Sequence, residues 1–167
     1  DGNVTLWYYN PVINYTEKSR RSGGCKTGKR GFIQMSERVV KVAMIGFGGI
    51  AKSHKRGYEH LEAEGAPIKL VAICDINEEQ FTKAQAINLE GVPKYDLSEQ
   101  KLYTDLDQML ANEEFEMVDI CLPSFLHKEY TLKMLRAGKH VLCEKPMALS
   151  SEDCREMIET AKACGKK

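Results

Sequence analysis

Between residues 39 and 165, short and nearly unbroken apolar runs alternate with longer stretches whose apolar residues recur at helical spacing. The runs Val39–Phe47, Ile68–Asp75, Leu102–Thr104, Met117–Leu122 and His140–Glu144 predict five strands. The intervening stretches 49–65, 77–89, 105–112, 124–138 and 150–165 predict helices, with Gly65 and Gly138 as stops. Ile50, His54, Tyr58 and Leu61 recur at helical spacing in the first; Leu126, Tyr130, Met134 and Ala137 share one side of the fourth. Cys154, Met157, Ile158, Ala161 and Cys164 are expected to face inward from the last. Its opening Ser-Ser-Glu-Asp offers a capping hydroxyl and acids suited to the helix dipole. Strands that are apolar along their whole length need cover on both faces, which predicts a parallel sheet between two helical layers. Right-handed crossovers then lead to an α/β fold with a doubly wound parallel sheet. All strand C-termini share one edge of such a sheet, and ligands bind there.

Residues 1–34 hold to neither period. They carry six basic and two acidic residues, and the basic Gly/Ser-rich part from Ser19 to Gly31 reads as a disordered tail. Met35 precedes the patterned region directly and is expected to be the natural start, with the preceding residues a non-native extension; the alternative is an ordinary flexible extension. The expected domain is therefore 35–167. Lys+Arg and Asp+Glu both number 24, and beyond residue 34 acids outnumber bases 22 to 18. That balance argues against nucleic acid and anionic membranes as partners. No apolar stretch approaches the roughly 20 residues of a membrane span. Six cysteines occur without a CxxC pair, which argues against zinc and for a reduced, cytoplasmic protein with no metal. Cys74, Cys121 and Cys143 lie in apolar runs and are expected to pack as small hydrophobes.

Chemistry gathers at the predicted strand ends. The first strand closes in Gly46-Phe47-Gly48-Gly49-Ile50-Ala51, a G-x-G-x-x-A turn opening a helix. Gly46 permits the turn, Gly48 lets a pyrophosphate approach the backbone, and Ala51 keeps helix and sheet close. Phe47, Gly49 and Ile50 complete this candidate cofactor-binding turn. The second strand ends at Asp75, 24 residues past Ala51. An acid there accepts from ribose hydroxyls and repels a 2′-phosphate, and no cation follows among Ile76–Glu79, so NAD is expected rather than NADP. The fourth strand ends at Leu122-Pro123, a loop expected over the middle of the cofactor. Ser124 is a candidate cap for the next helix, and His127 either a cofactor neighbour or a helix-surface residue. His54, His60 and His140 are expected to be packing or solvent residues. The fifth strand delivers Glu144-Lys145-Pro146 to the same edge.

Taken together, "KVAMIGFGGIAKSH", "LVAICD", "YTDLDQML" and "VDICLPSFLHKEYTLKMLRAGKHVLCEKPMALSSEDCREMI" resemble the glucose–fructose oxidoreductase, inositol dehydrogenase and MocA (Gfo/Idh/MocA) family. The Glu-Lys-Pro tip preceded by "AGKHVL" is the specific part. The resemblance implies an NAD(P)-dependent oxidoreductase of sugars, inositols or related polyols, with a Rossmann domain followed by an α/β substrate domain. It makes Lys145 the catalytic residue beside the nicotinamide, has Glu144 position that lysine or the nicotinamide ribose, and implies a cis Lys145–Pro146 bond. It further implies a homo-oligomeric full-length protein, and a chain that lacks the second domain. A non-catalytic NAD-binding regulator remains the competing expectation, as does, less well matched, another dehydrogenase with a similar cofactor domain.

Overall fold

In the computed structural model, residues 38–82 and 96–167 are described. The expectations for residues 1–34, for Met35 and for the far part of the second helix, 83–89, lie outside them. Strands β1 (Val40–Ile45), β2 (Ile68–Cys74), β3 (Lys101–Tyr103), β4 (Met117–Ile120) and β5 (His140–Cys143) alternate with helices α1 (Gly49–Ala63), α2 (Glu79–Thr82), α3 (Leu106–Asn112), α4 (His127–Arg136) and α5 (Ser151–Ala163). The five strands form one sheet in the order β3-β2-β1-β4-β5, and every pairing is parallel. The winding direction reverses between β1 and β4, which opens a crevice at their carboxyl ends. This is the expected doubly wound sheet.

Side-chain alternation along β1 divides the core. Val42 and Met44 join Phe47, Ala51, Tyr58, Leu70, Ile73 and Cys121 on the face that α1 covers. Ala43 and Ile45 join Ala72, Met109, Phe115, Val118, Ile120 and Met134 on the face covered by α3 and α4. A register shift between Val42 and Ala43 leaves Val71 of β2 without a counterpart, so Leu70 and Ile73 reach the same face. Each fully buried side chain of this size contributes about 1.5–3 kcal/mol. Cys74 is free and buried, as expected of a small hydrophobe, and burial raises its thiol to about 11. Cys143 is free but only half-buried, and buried Cys121 departs from the expectation because its thiol donates to Asp119.

Three local expectations need correction. Ser124 makes no capping hydrogen bond; Ser124–Leu126 winds as a 3₁₀ turn before α4, with Leu126 N–H donating to Pro123 O at 2.9 Å. The hydroxyl thus lies inside the tightened first turn rather than before it. On α1 the buried stripe is Ala51, Lys52, Lys55 and Tyr58, while Ile50 and Leu61 are exposed. On α5 only Met157 is buried, and Ile158 is 44% exposed. Among the described residues β5 is the last strand on its side of the sheet, and α5 packs on α4 beside it. Thr131, Leu135, Val141, Cys143, Met157 and Ile158 line an apolar groove of about 280 Å³ there. Lys167 already meets this edge, its carbonyl accepting Val141 N–H at 2.8 Å. Ser150, by contrast, caps α5 as expected, accepting Asp153 N–H at 3.1 Å.

Candidate cofactor and catalytic site

Gly46 leaves β1 with φ +85°, a left-handed conformation that favours glycine, and donates its N–H to Cys74 O at 2.8 Å. A Cβ at this position would stand 2.6 Å from the Cys121 carbonyl oxygen, so the turn is pressed against the end of β4. Gly48 and Gly49 differ from it: a Cβ on either would meet nothing within 4 Å. The space in front of α1 is therefore bounded by bare backbone. Gly48 is the N-cap of α1 and supplies no side chain to cap it. A helix N-terminus behind an open glycine turn suits a pyrophosphate in both shape and dipole, so these residues fit the diphosphate of a dinucleotide.

Asp75 lies beside this turn because β2 pairs with β1 in register, Ile45 opposite Cys74. Its Oδ2 accepts Phe47 N–H at 2.7 Å and its Oδ1 accepts Asn77 N–H at 2.8 Å. Each carboxylate oxygen keeps further acceptor capacity for a ribose hydroxyl. Phe47 itself is fully buried against the core and its ring lies 6.2 Å from that of Phe81. It anchors the turn, and Ile50, 47% exposed, follows on α1. Ile45, Asp75, Ile76, Thr104, Asp105 and Leu122, from four strand ends, help to line a cleft of about 280 Å³ on this edge.

Beyond β4, Pro123 is exposed and Leu122 half-buried. His127 is only 1% exposed, which excludes the helix-surface alternative. One ring nitrogen lies 2.8 Å from Leu122 O and the other 2.8 Å from Pro146 O. The ring therefore staples the β4 loop to the Glu-Lys-Pro loop. The Lys145–Pro146 bond is cis, as expected. Lys145 is exposed at the tip of β5, and its N–H donates to Glu144 Oε2 at 3.0 Å. Glu144 N–H donates to Ile120 O at 3.0 Å, tying that tip to the end of β4.

His54 was expected to be a packing or solvent residue, and the structure corrects this. Its Nδ1 lies 2.9 Å from Asp119 Oδ2 and its Nε2 3.1 Å from Glu144 Oε1. Asp119 is fully buried in β4, where alternation turns it from the side of Val118 and Ile120 toward α1. Tyr58 OH donates to Asp119 Oδ2 at 3.1 Å, and the Cys121 thiol to Oδ1 at 3.5 Å. The Asp119 hydrogen bond raises the His54 pKa above 6.5, with burial opposing it and the Asp119 and Glu144 charges reinforcing it. Burial and the Asp119 charge push the Cys121 thiol well up, so it holds its proton and donates. The ligand-type atoms of His54, Asp119 and Cys121 all lie within 4.8 Å of one another and are joined by hydrogen bonds through Asp119. One signal in the sequence marks this network: an acid in the middle of a buried strand requires partners. Their identity does not follow from local pattern, because His54 and Tyr58 stand 65 and 61 residues away.

A family model described as "Oxidoreductase family, NAD-binding Rossmann fold" matches residues 40–167. D-glucoside 3-dehydrogenase of Escherichia coli K12 is 35% identical over 132 residues, covering 79% of this chain and 34% of the relative. Inositol 2-dehydrogenase of Pseudomonas savastanoi is 33% identical over 129 residues, covering 77% of this chain and 35% of the relative. Among solved structures, the WlbA dehydrogenase of Bordetella pertussis in complex with NADH and UDP-GlcNAcA superposes with a TM-score of 0.64 at 28% identity, over 78% of this chain and 36% of that one. This chain thus spans about a third of the length of the proteins it matches. Among the described residues no helix is long and apolar enough to cross a membrane. The glycine turn, the acid at the end of β2 and the Glu-Lys-Pro tip on one edge of a parallel sheet agree with these matches: the chain belongs to the Gfo/Idh/MocA oxidoreductase family, and residues 40–167 are its NAD-binding Rossmann domain.

Proposed function

We propose that this domain is the cofactor half of an oxidoreductase that moves a hydride between NAD and a hydroxyl-bearing carbon of a sugar, inositol or related polyol. The single observation that carries the reading is convergence. Gly48, Asp75 and Lys145 come from the ends of β1, β2 and β5, and all three stand on the carboxyl edge of the sheet. The relatives named above act on a glucoside and an inositol, which supports the substrate class.

When bound, NAD supplies the hydride acceptor. The residues of the chain do the rest. The Gly48–Gly49 backbone and the start of α1 hold the pyrophosphate, and Asp75 accepts from the adenosine ribose. Leu122 and Pro123 lie along the middle of the cofactor. Lys145 meets the reacting hydroxyl and draws off its proton, which lets hydride leave the same carbon. Glu144 holds the Lys145 backbone in place through its bond to Lys145 N–H. A regulator that only senses NAD needs no such lysine, which weighs against the non-catalytic reading. The substrate-binding half, its acid–base partners and the homo-oligomeric state belong to the full-length protein in this proposal. The test is Lys145→Met in the full-length protein, assayed for NADH production on a panel of inositols, hexoses and sugar acids. NADH affinity is expected to hold while kcat falls about 10²–10⁴-fold. A kcat within two- to threefold of wild type removes Lys145 from the chemistry.

A further inference from the structure

Glu144 shares its two oxygens between two partners. Oε2 takes Lys145 N–H at 3.0 Å, and Oε1 lies 3.1 Å from His54 Nε2. The far side of the same ring meets Asp119 Oδ2 at 2.9 Å. An ionised carboxylate only accepts, so both ring nitrogens must donate, and a neutral imidazole has one N–H. The arrangement of two carboxylates about one ring is satisfied when His54 is an imidazolium held between them. We infer that His54 is a positioning residue: with its inner side fixed on buried Asp119, it clamps Glu144 and thereby sets the backbone that presents Lys145.

The inner anchor is rigid. Asp119 is fully buried and is held additionally by Tyr58 OH and the Cys121 thiol. His54 is half-buried, its side chain 24% exposed, and Glu144 is 18% exposed. The chain of contacts therefore runs from the interior of the sheet to its reactive edge without a gap. The charged and titratable groups facing His54 are Asp119 from β4, Cys121 just beyond β4 (Sγ 3.6 Å from Nδ1) and Glu144 from the tip of β5. Tyr58, on the same helix as His54, reaches the network through Asp119. The raised His54 pKa agrees with this geometry.

The role assigned to His54 rests on the proposal that Lys145 handles the substrate proton, and the test separates the two. In ¹⁵N imidazole spectra of this chain, His54 is expected to carry hydrogen on both nitrogens at neutral pH. Its titration midpoint should fall in Glu144→Gln, which removes one facing charge and keeps the side chain's shape. A neutral ring, or a midpoint indifferent to Glu144→Gln, overturns the clamp whether or not the protein is an enzyme. In the full-length protein, His54→Gln is expected to lower kcat about 10–100-fold, the scale on which a misplaced reacting group costs rate, with KM for NAD within twofold. The double variant with Glu144→Gln should lose less than the product of the two single losses, because both remove the same contact. If His54→Gln retains wild-type kcat while Lys145→Met is inactive, the clamp fails and the hydride-transfer reading stands. If no polyol is turned over by wild type, that reading fails, and the spectra still decide the clamp.

Discussion

Asp75 Oδ2 accepts the Phe47 N–H at 2.7 Å, so the acid that ends β2 also holds the glycine turn that ends β1. One side chain thereby serves two purposes: it fixes the cradle and, in the proposed complex, accepts from the ribose. Ile76, 89% exposed immediately after it, is the position from which a cation would reach a 2′-phosphate. The dual role changes what a substitution at Asp75 reports.

Cofactor preference follows from this pair. The protein is expected to bind NADH more tightly than NADPH, because Asp75 repels the extra phosphate and no cation stands at position 76. Asp75→Ser with Ile76→Arg should reverse the ratio. Affinity for NADH should also fall, since the turn loses its Phe47 anchor. Titration of both nucleotides by nicotinamide fluorescence measures both effects, and equal affinities in the wild type refute the assignment of Asp75.

The glycines of the turn should separate folding from binding. Gly46→Ala places a Cβ 2.6 Å from the Cys121 carbonyl at φ +85°, and is expected to cost at least about 1–2 kcal/mol of stability. Gly48→Ala adds a methyl that meets no protein atom within 4 Å, so its stability should stay within about 0.5 kcal/mol while NADH affinity drops. Urea unfolding and NADH titration of both variants give the comparison. A Gly48→Ala variant that binds as well as wild type places the pyrophosphate elsewhere.

Tyr58→Phe keeps the ring and removes only the hydroxyl that donates to buried Asp119. Burial, foremost, and the Asp119 charge keep this phenol protonated, so the donor is present at every working pH. Its loss is expected to cost about 1–3 kcal/mol, the penalty for withdrawing a partner from a buried polar group. Chemical denaturation measures it, and an unchanged midpoint would mean that His54 and Cys121 satisfy Asp119 alone.

Stability should depend on pH through His54. Its folded pKa is raised above 6.5 by the Asp119 hydrogen bond, so its stabilising contribution is complete below 6.5 and is lost as pH rises through the folded value. The stability advantage of wild type over His54→Gln is therefore expected to be larger in mildly acidic than in mildly alkaline buffer. Urea midpoints of the two proteins across that range test the sign; an advantage that grows with pH contradicts it.

This chain is expected to bind NAD weakly and to leave a panel of polyols unoxidised. Holding two reactants in place supplies roughly 7–11 kcal/mol of a barrier. In the proposed function the described residues hold the cofactor, and the chain spans about a third of the length of the relatives it matches. NADH absorbance over the panel should stay flat. Production of NADH that disappears in Lys145→Met would make these residues sufficient for catalysis.

Much of this was legible without coordinates because it depends on local period and local chemistry. Continuous apolar runs separated by amphipathic stretches leave a parallel sheet with two covered faces as the natural solution, and the five strands formed where the pattern put them. Gly46, Asp75 and the Glu144–Pro146 tip were readable because a turn, an acid and a charged loop at strand ends carry their chemistry in residue type. What depends on contact between distant segments was not readable. Among the described residues only Met157 of α5 is buried, and helical spacing records periodicity rather than which neighbours are present. His127 became a buried staple, and Ser124 lost its capping role to a tightened turn. His54 owes its place to Asp119 and Glu144, which strand order and register bring to it from 65 and 90 positions along the chain. A histidine's chemistry is set by what stands on its two nitrogens, and only the folded sheet decides that.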